Sequence, residues 1–151
     1  MMLYFLILLH VLGACVWTGG HLYIALGVLP RAMRDRDPEL LKTTESMIER
    51  LAMPALFVQL MTGIEIARRH AGGFTAIFDV KDPIDQFTVT KLGLLLLTIV
   101  LAADVHLRRD KFEGVAWLRF MAWHIVPVTI IAVALVALGV GFRMGVFFGY
   151  G

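Results

Sequence analysis

The sequence predicts an all-α integral membrane protein, built as an antiparallel bundle of four transmembrane helices. Of its 151 residues, 59% are hydrophobic, against about 45–50% in soluble globular proteins, and the mean hydropathy is +0.79. Four apolar runs are each long enough to cross the roughly 30 Å hydrocarbon core of a bilayer as a helix. They cover residues 3–29, 47–67, 89–107 and 116–142. Because these runs leave no room for a separate soluble domain, residues 1–151 are predicted to form one transmembrane domain.

The connections between the runs predict the topology. The first connection, "PRAMRDRDPELLKTTESMIER", holds five of the fourteen Lys and Arg residues, and the third, "RRDKFEGVAWLR", holds four. Because basic connections tend to face the cytoplasm, both termini are expected on the periplasmic side of a bacterial-type inner membrane. The net charge of +2 is small and the basic residues form no extended patch. The expected partner is therefore the lipid bilayer, and no nucleic-acid partner is expected.

The first run contains two histidines, in the stretch "HVLGACVWTGGH". His10, Trp17 and His21 fall within about 40° of one another on one helical stripe, because a helix turns about 100° per residue. The eleven residues between the two imidazoles correspond to about 16 Å along the helix axis, so the histidines belong to two depths. The small residues between them leave room either for a flat ligand or for a closely packed helix.

Helix geometry groups the remaining intramembrane histidines by depth. His106 lies near the cytoplasmic end of the third run, and His124 lies about two turns into the fourth run from the same side. With His21 they form a predicted inner layer, whereas His10 and Lys91 belong to an outer layer. Imidazole within a membrane is costly unless it faces the bundle interior, and histidine is the commonest metal ligand. We therefore predict that His21, His106 and His124 form a metal site.

Two cofactors suit these residues. Haem b takes axial imidazole ligands and needs a slot between helices, and either one haem in the inner layer or two at different levels would fit the spacing. The predicted cofactor-binding residues are then His10, His21, Lys91, His106 and His124. Imidazoles without thiolates also suit copper, which is the alternative. The single cysteine excludes an intrachain disulfide and a CxxC motif.

Several stretches resemble known membrane families. "LHVLGACVWTGGHLYIALGVLPRAM" resembles the first span of the copper resistance D (CopD) family, and "WHIVPVTIIAVALVALGVGFRMG" resembles its small stand-alone members. "MIERLAMPALFVQLMTGIEIARR" followed by "FTVTKLGLLLL" is similar to the related HemJ-type protoporphyrinogen oxidase pattern. In that pattern a histidine of the first span and a lysine of the third are the important pair. By position, the resemblance implies that these are His10 and Lys91.

The residues and the resemblance together predict a CopD-like membrane protein that binds haem b and transfers electrons within or across the bilayer. Two alternatives stay open, a copper transport or resistance protein using the same His and Met residues, and a HemJ-like oxidase. A non-catalytic subunit of a larger membrane complex is a further alternative. The sequence identifies neither a redox partner nor an oxidoreductase reaction, and it is compatible with a homodimer.

Overall fold

The computed structural model describes residues 1–71 and 83–144, and nearly all of them are helical. A π-helical segment, Tyr23–Val28, joins the first two helices, and a 3-10 turn, Arg109–Lys111, follows the fourth. The α-helices are α1 (Met2–Leu22), α2 (Leu29–Asp35), α3 (Pro38–Ala71), α4 (Pro83–Arg108) and α5 (Gly114–Met144).

Four helical stretches are long and apolar enough to cross a membrane. They are Met2–Asp35, Pro38–Arg69, Gln86–Lys111 and Gly114–Gly141, and each contains one of the four predicted runs to within a single residue. Many large apolar side chains lie on the outside of the bundle, where they would face lipid; Leu26 is 74% exposed and Ile130 is 63% exposed. The all-α, four-helix membrane architecture predicted from the sequence is thereby confirmed.

The first membrane span contains a wider, π-helical turn. The Leu29 N–H donates to the carbonyl of Ile24, five residues earlier, in place of the usual four. Pro30 follows immediately, and its ring nitrogen has no hydrogen to donate to a carbonyl in the preceding turn. The π-helical segment therefore lies where the ordinary ladder of hydrogen bonds is interrupted.

The turn between α2 and α3 is sharp, and α3 begins well before its apolar run. Arg36 adopts a left-handed conformation with φ 54° and ends α2. The Asp37 carboxylate accepts a hydrogen bond of 3.1 Å from the Leu40 N–H, which satisfies an otherwise free donor at the helix start. One turn on, Lys42 pairs with Glu39 at 2.9 Å. These polar contacts keep the polar first turns of α3 helical.

α1 packs directly against α3 through glycines. A Cβ atom added at Gly13 would lie 2.9 Å from the backbone oxygen of Ala55, and one added at Gly20 would lie 2.8 Å from Cγ2 of Ile48. Small residues allow two transmembrane helices to approach closely. At these two positions, the small residues of "HVLGACVWTGGH" serve a close helix contact.

The core has two parts along the bundle. One lies at the inner end, where α2, α3 and α5 surround the fully buried Leu118 and Met121. The other surrounds Trp17 and includes Ala52, Val128 and Ala132. α4 packs chiefly against α5, whereas α1 packs chiefly against α3. α4 is consequently the least enclosed of the four membrane helices over the part of the chain described.

Candidate functional site in the outer layer

The outer layer is organised around His10 of α1. Its Nδ1 lies 2.8 Å from the backbone oxygen of Gln59 and 3.2 Å from the Thr62 hydroxyl, both on α3. The Thr62 hydroxyl donates its own proton to the Val58 carbonyl at 2.7 Å. A carbonyl oxygen can only accept, so Nδ1 of His10 carries the proton and donates it. In the neutral ring, Nε2 then keeps its lone pair and has no partner among the described residues.

Glycine and glutamine shape the space around this imidazole. A Cβ atom at Gly63 would lie 2.9 Å from Cε1 of His10, so the ring occupies the space that a side chain would need at Gly63. Gln59 Oε1 is buried and has no hydrogen-bond partner within the described chain. Because buried polar atoms are nearly always paired, this oxygen indicates a donor that the described chain does not supply.

Lys91 completes the outer layer from α4. Its side chain is partly buried, and its ammonium lies near enough to His10 to act on it electrostatically. A Cβ atom at Gly139 of α5 would lie 3.7 Å from the Lys91 Nζ. None of the described carboxylates pairs with this ammonium. Lys91 thus lies against α5 at Gly139, and its charge acts on His10 of α1.

His21 lies at the inner level on the same stripe of α1. Its Nδ1 donates to the Trp17 carbonyl one turn earlier at 2.9 Å, and the two rings lie with centroids 4.3 Å apart and planes inclined by 43°. The Nε2 of His21 has no hydrogen-bond partner among the described residues. His21 therefore resembles His10, with one ring nitrogen fixed by a carbonyl and the other available to a ligand.

His124 is engaged at both ring nitrogens. Its Nδ1 donates to the Phe120 carbonyl at 2.8 Å, and its Nε2 lies 2.9 Å from Oδ2 of Asp104 on α4. The same carboxylate accepts a hydrogen bond of 3.2 Å from Arg108. A carbonyl oxygen and a carboxylate oxygen thus lie against the two ring nitrogens. In this arrangement His124 links α4 to α5 and presents no free nitrogen to a metal.

His106 lies on a different face of α4 from the carboxylate that binds His124. It follows Asp104 by two residues, which places it about 200° around the helix, and its side chain is exposed. The structure therefore does not bring together His21, His106 and His124, the three inner-layer histidines grouped by depth. In the described ranges, no group of three or more His, Cys, Asp or Glu side chains could hold a metal ion.

Two residues of these sites were not anticipated from the sequence. Asp104 lies inside the third apolar run, where a carboxylate implies an intramembrane partner; that signal could have identified the link to His124. Gly63 offered no such signal, because its role depends on the approach of α1 from another part of the chain. Comparison with protein-family models, with characterised proteins and with solved structures gave no match to this chain.

Proposed function

We propose that the protein is an integral membrane haem-b protein of a bacterial-type inner membrane, in which His10 would hold the haem in the outer layer, with electron transfer as its function. The observation that carries the proposal is the hydrogen bond of 2.8 Å from His10 Nδ1 to the Gln59 carbonyl. Such a bond fixes the tautomer, orients the ring and makes the opposite nitrogen a better ligand. The orientation with both termini outside rests on the distribution of Lys and Arg.

The residues of the outer layer fit a haem. Iron in haem needs only one or two protein ligands, and His10 Nε2 is free to be one of them. Lys91 supplies a positive charge that would pair with a propionate. When bound, the haem would supply one-electron redox chemistry. The protein residues would hold the group, orient it and keep it in an apolar surrounding.

A second level is proposed at His21, whose Nε2 is also free. About 16 Å along the helix separate it from His10, so the two histidines cannot ligate one iron. Two haems at two levels would form a path along the first span. Copper has weaker support, because the described residues bring no three His, Cys, Asp or Glu ligands together.

The test is the visible spectrum of the detergent-purified protein, oxidised and after reduction with dithionite. We expect a Soret band that sharpens on reduction, with distinct α and β bands, and a large loss of haem in His10→Ala. His106→Ala is the matched control, since this exposed imidazole has no hydrogen bond in the described chain. A colourless protein, or equal haem content in the two variants, would refute the proposal.

A second candidate function, oxidation of protoporphyrinogen, is favoured by Lys91, a cation whose charge acts on His10. An ammonium at this position would bind a propionate of a tetrapyrrole substrate beside the histidine. We expect Lys91→Met to lose oxidase activity while retaining haem, and Lys111→Met, in the exposed turn after α4, to retain both. No activity in a haem-loaded wild-type protein would exclude this candidate and leave the haem proposal standing.

A further inference from the structure

A cleft of about 300 Å³ opens at the inner end of the bundle, away from the outer layer. One wall is a face of α3 that carries Lys42, Glu45 and Glu49, which are spaced by three and four residues and so share one side of the helix. The other walls are Arg109 and Asp110, after the end of α4, and Trp117, in the first turns of α5. The volume lies at the lower end of the range for small-ligand sites, about 300–1,000 Å³.

The carboxylates and the cations of this cleft differ in how closely they are paired with other side chains. Glu45 is partly buried, with Glu49 beside it and Arg109 as the cation that acts on it. Neither carboxylate has a hydrogen bond or a close ion pair with any side chain that the structure describes. The cations, in contrast, already have neighbours: Lys42 lies 2.9 Å from Glu39 and 5.3 Å from the Trp117 ring centroid.

Arg109 has only a loose partner, since its Nε lies 3.7 Å from the exposed carboxylate of Asp110. The cleft thus places two neighbouring carboxylates of α3, neither paired with a described side chain, next to Lys42 and to Arg109 with its loose partner Asp110. Two adjacent carboxylates repel each other when both are charged, and a cation between them removes that cost. The pattern suits a ligand with an ammonium at one end and an anionic group at the other.

The level of the cleft along the membrane helices indicates which class of ligand can reach it. Glu45 and Glu49 lie at the start of the apolar run 47–67, and Trp117 lies at the start of the run 116–142. Tryptophan is enriched where a membrane protein crosses from hydrocarbon to headgroup. At that depth the most accessible ammonium beside a phosphate is the headgroup of a zwitterionic phospholipid.

We propose that this cleft binds the headgroup of phosphatidylethanolamine, with the ammonium between Glu45 and Glu49 and the phosphate beside Lys42 and Arg109. A primary ammonium has three N–H donors, enough to bond to both carboxylates. A trimethylated ammonium has none, and a glycerol headgroup has no positive charge. The site should therefore distinguish phosphatidylethanolamine from phosphatidylcholine and from phosphatidylglycerol.

The test is native mass spectrometry of the full chain in detergent, titrated separately with these three phospholipids. We expect about tenfold tighter binding of phosphatidylethanolamine than of phosphatidylglycerol, the ratio that corresponds to one charged hydrogen bond of about 1.4 kcal/mol. Glu45→Gln and Glu49→Gln should each remove that preference. Glu113→Gln, an exposed carboxylate near the start of α5, is the matched control and should keep it.

Equal binding of the three lipids, or a wild-type preference in both glutamine variants, would overturn the proposal. Helix content measured by circular dichroism shows whether each variant is folded, and Glu49→Gln tests the site if Glu45→Gln fails to fold. Free phosphoethanolamine distinguishes the source of the headgroup. Displacement of the lipid by the free compound at matched concentration would overturn the assignment to a lipid, and no displacement supports it.

Discussion

Gly13 lies where α1 comes closest to α3, and its substitution by alanine tests that contact directly. The added Cβ would lie 2.9 Å from the Ala55 carbonyl oxygen and 3.0 Å from Cβ of Gln59. Contact distances of about 3.5 Å or more are normal, so α1 would have to move by roughly 0.5 Å. Overpacking of this kind typically costs about 1–3 kcal/mol, and here the obstructing atom belongs to the backbone and cannot rotate away.

Gly19→Ala is the matched control, because a Cβ at Gly19 meets nothing within 4 Å on the same helix. Both substitutions remove a glycine from a helix interior, which alone stabilises by about 0.5–1 kcal/mol. That gain cancels when the two variants are compared, so Gly13→Ala should be less stable than Gly19→Ala by about 1–3 kcal/mol. Thermal unfolding in detergent, followed by circular dichroism, measures the difference. Equal midpoints for the two variants would refute the close approach of α1 and α3.

Two further predictions concern single side chains and their matched controls. Trp17→Ala should cost about 3–5 kcal/mol of stability, since Trp17 is only 8% exposed. Trp123→Ala should cost far less, because Trp123 is 77% exposed. Similar unfolding midpoints for the two variants would contradict this prediction. Asp104→Asn should cost about 1–3 kcal/mol, because it removes the charge partner of a partly buried His124. Asp110→Asn, with a side chain 91% exposed, should be near neutral in the same unfolding assay, and an equal loss in both would show that the His124 pair is not needed.

The fold was predictable because it depends on properties that are local in the sequence. Four apolar runs of sufficient length specify four membrane helices, and the structure places each run inside one helix. The start of α3 was missed, because the polar stretch before residue 47 is kept helical by the Asp37 cap and by the Lys42–Glu39 pair. Neither contact adds to the hydropathy on which the run was recognised.

The sequence predicts the depth of each site residue in the membrane, but not the direction in which its side chain points around the helix. A rise of about 1.5 Å per residue gives the level of a side chain, and this is enough to place His10 and Lys91 in one layer. The direction in which a side chain points depends on which face of its helix is packed. α4 is apolar on most sides, so the sequence does not indicate whether Asp104 or His106 faces α5. The structure turns Asp104 toward His124 and leaves His106 outside.

The π-helical segment Tyr23–Val28 has a consequence for how the first span stays buried. From Gly13 to Ala32 is nineteen residues, and at about 100° each an unbroken α-helix would arrive about 100° away from its starting face. A π-turn accommodates one extra residue, which takes up about that angle. Buried residues consequently recur from the middle of the span to its inner end, on the face occupied by Gly13, Trp17, Ile24, Val28 and Ala32. The π-helical segment thus offsets the angular drift of the buried face. As a result, one stripe of the first span can face α3 at one end and the Leu118–Met121 core at the other.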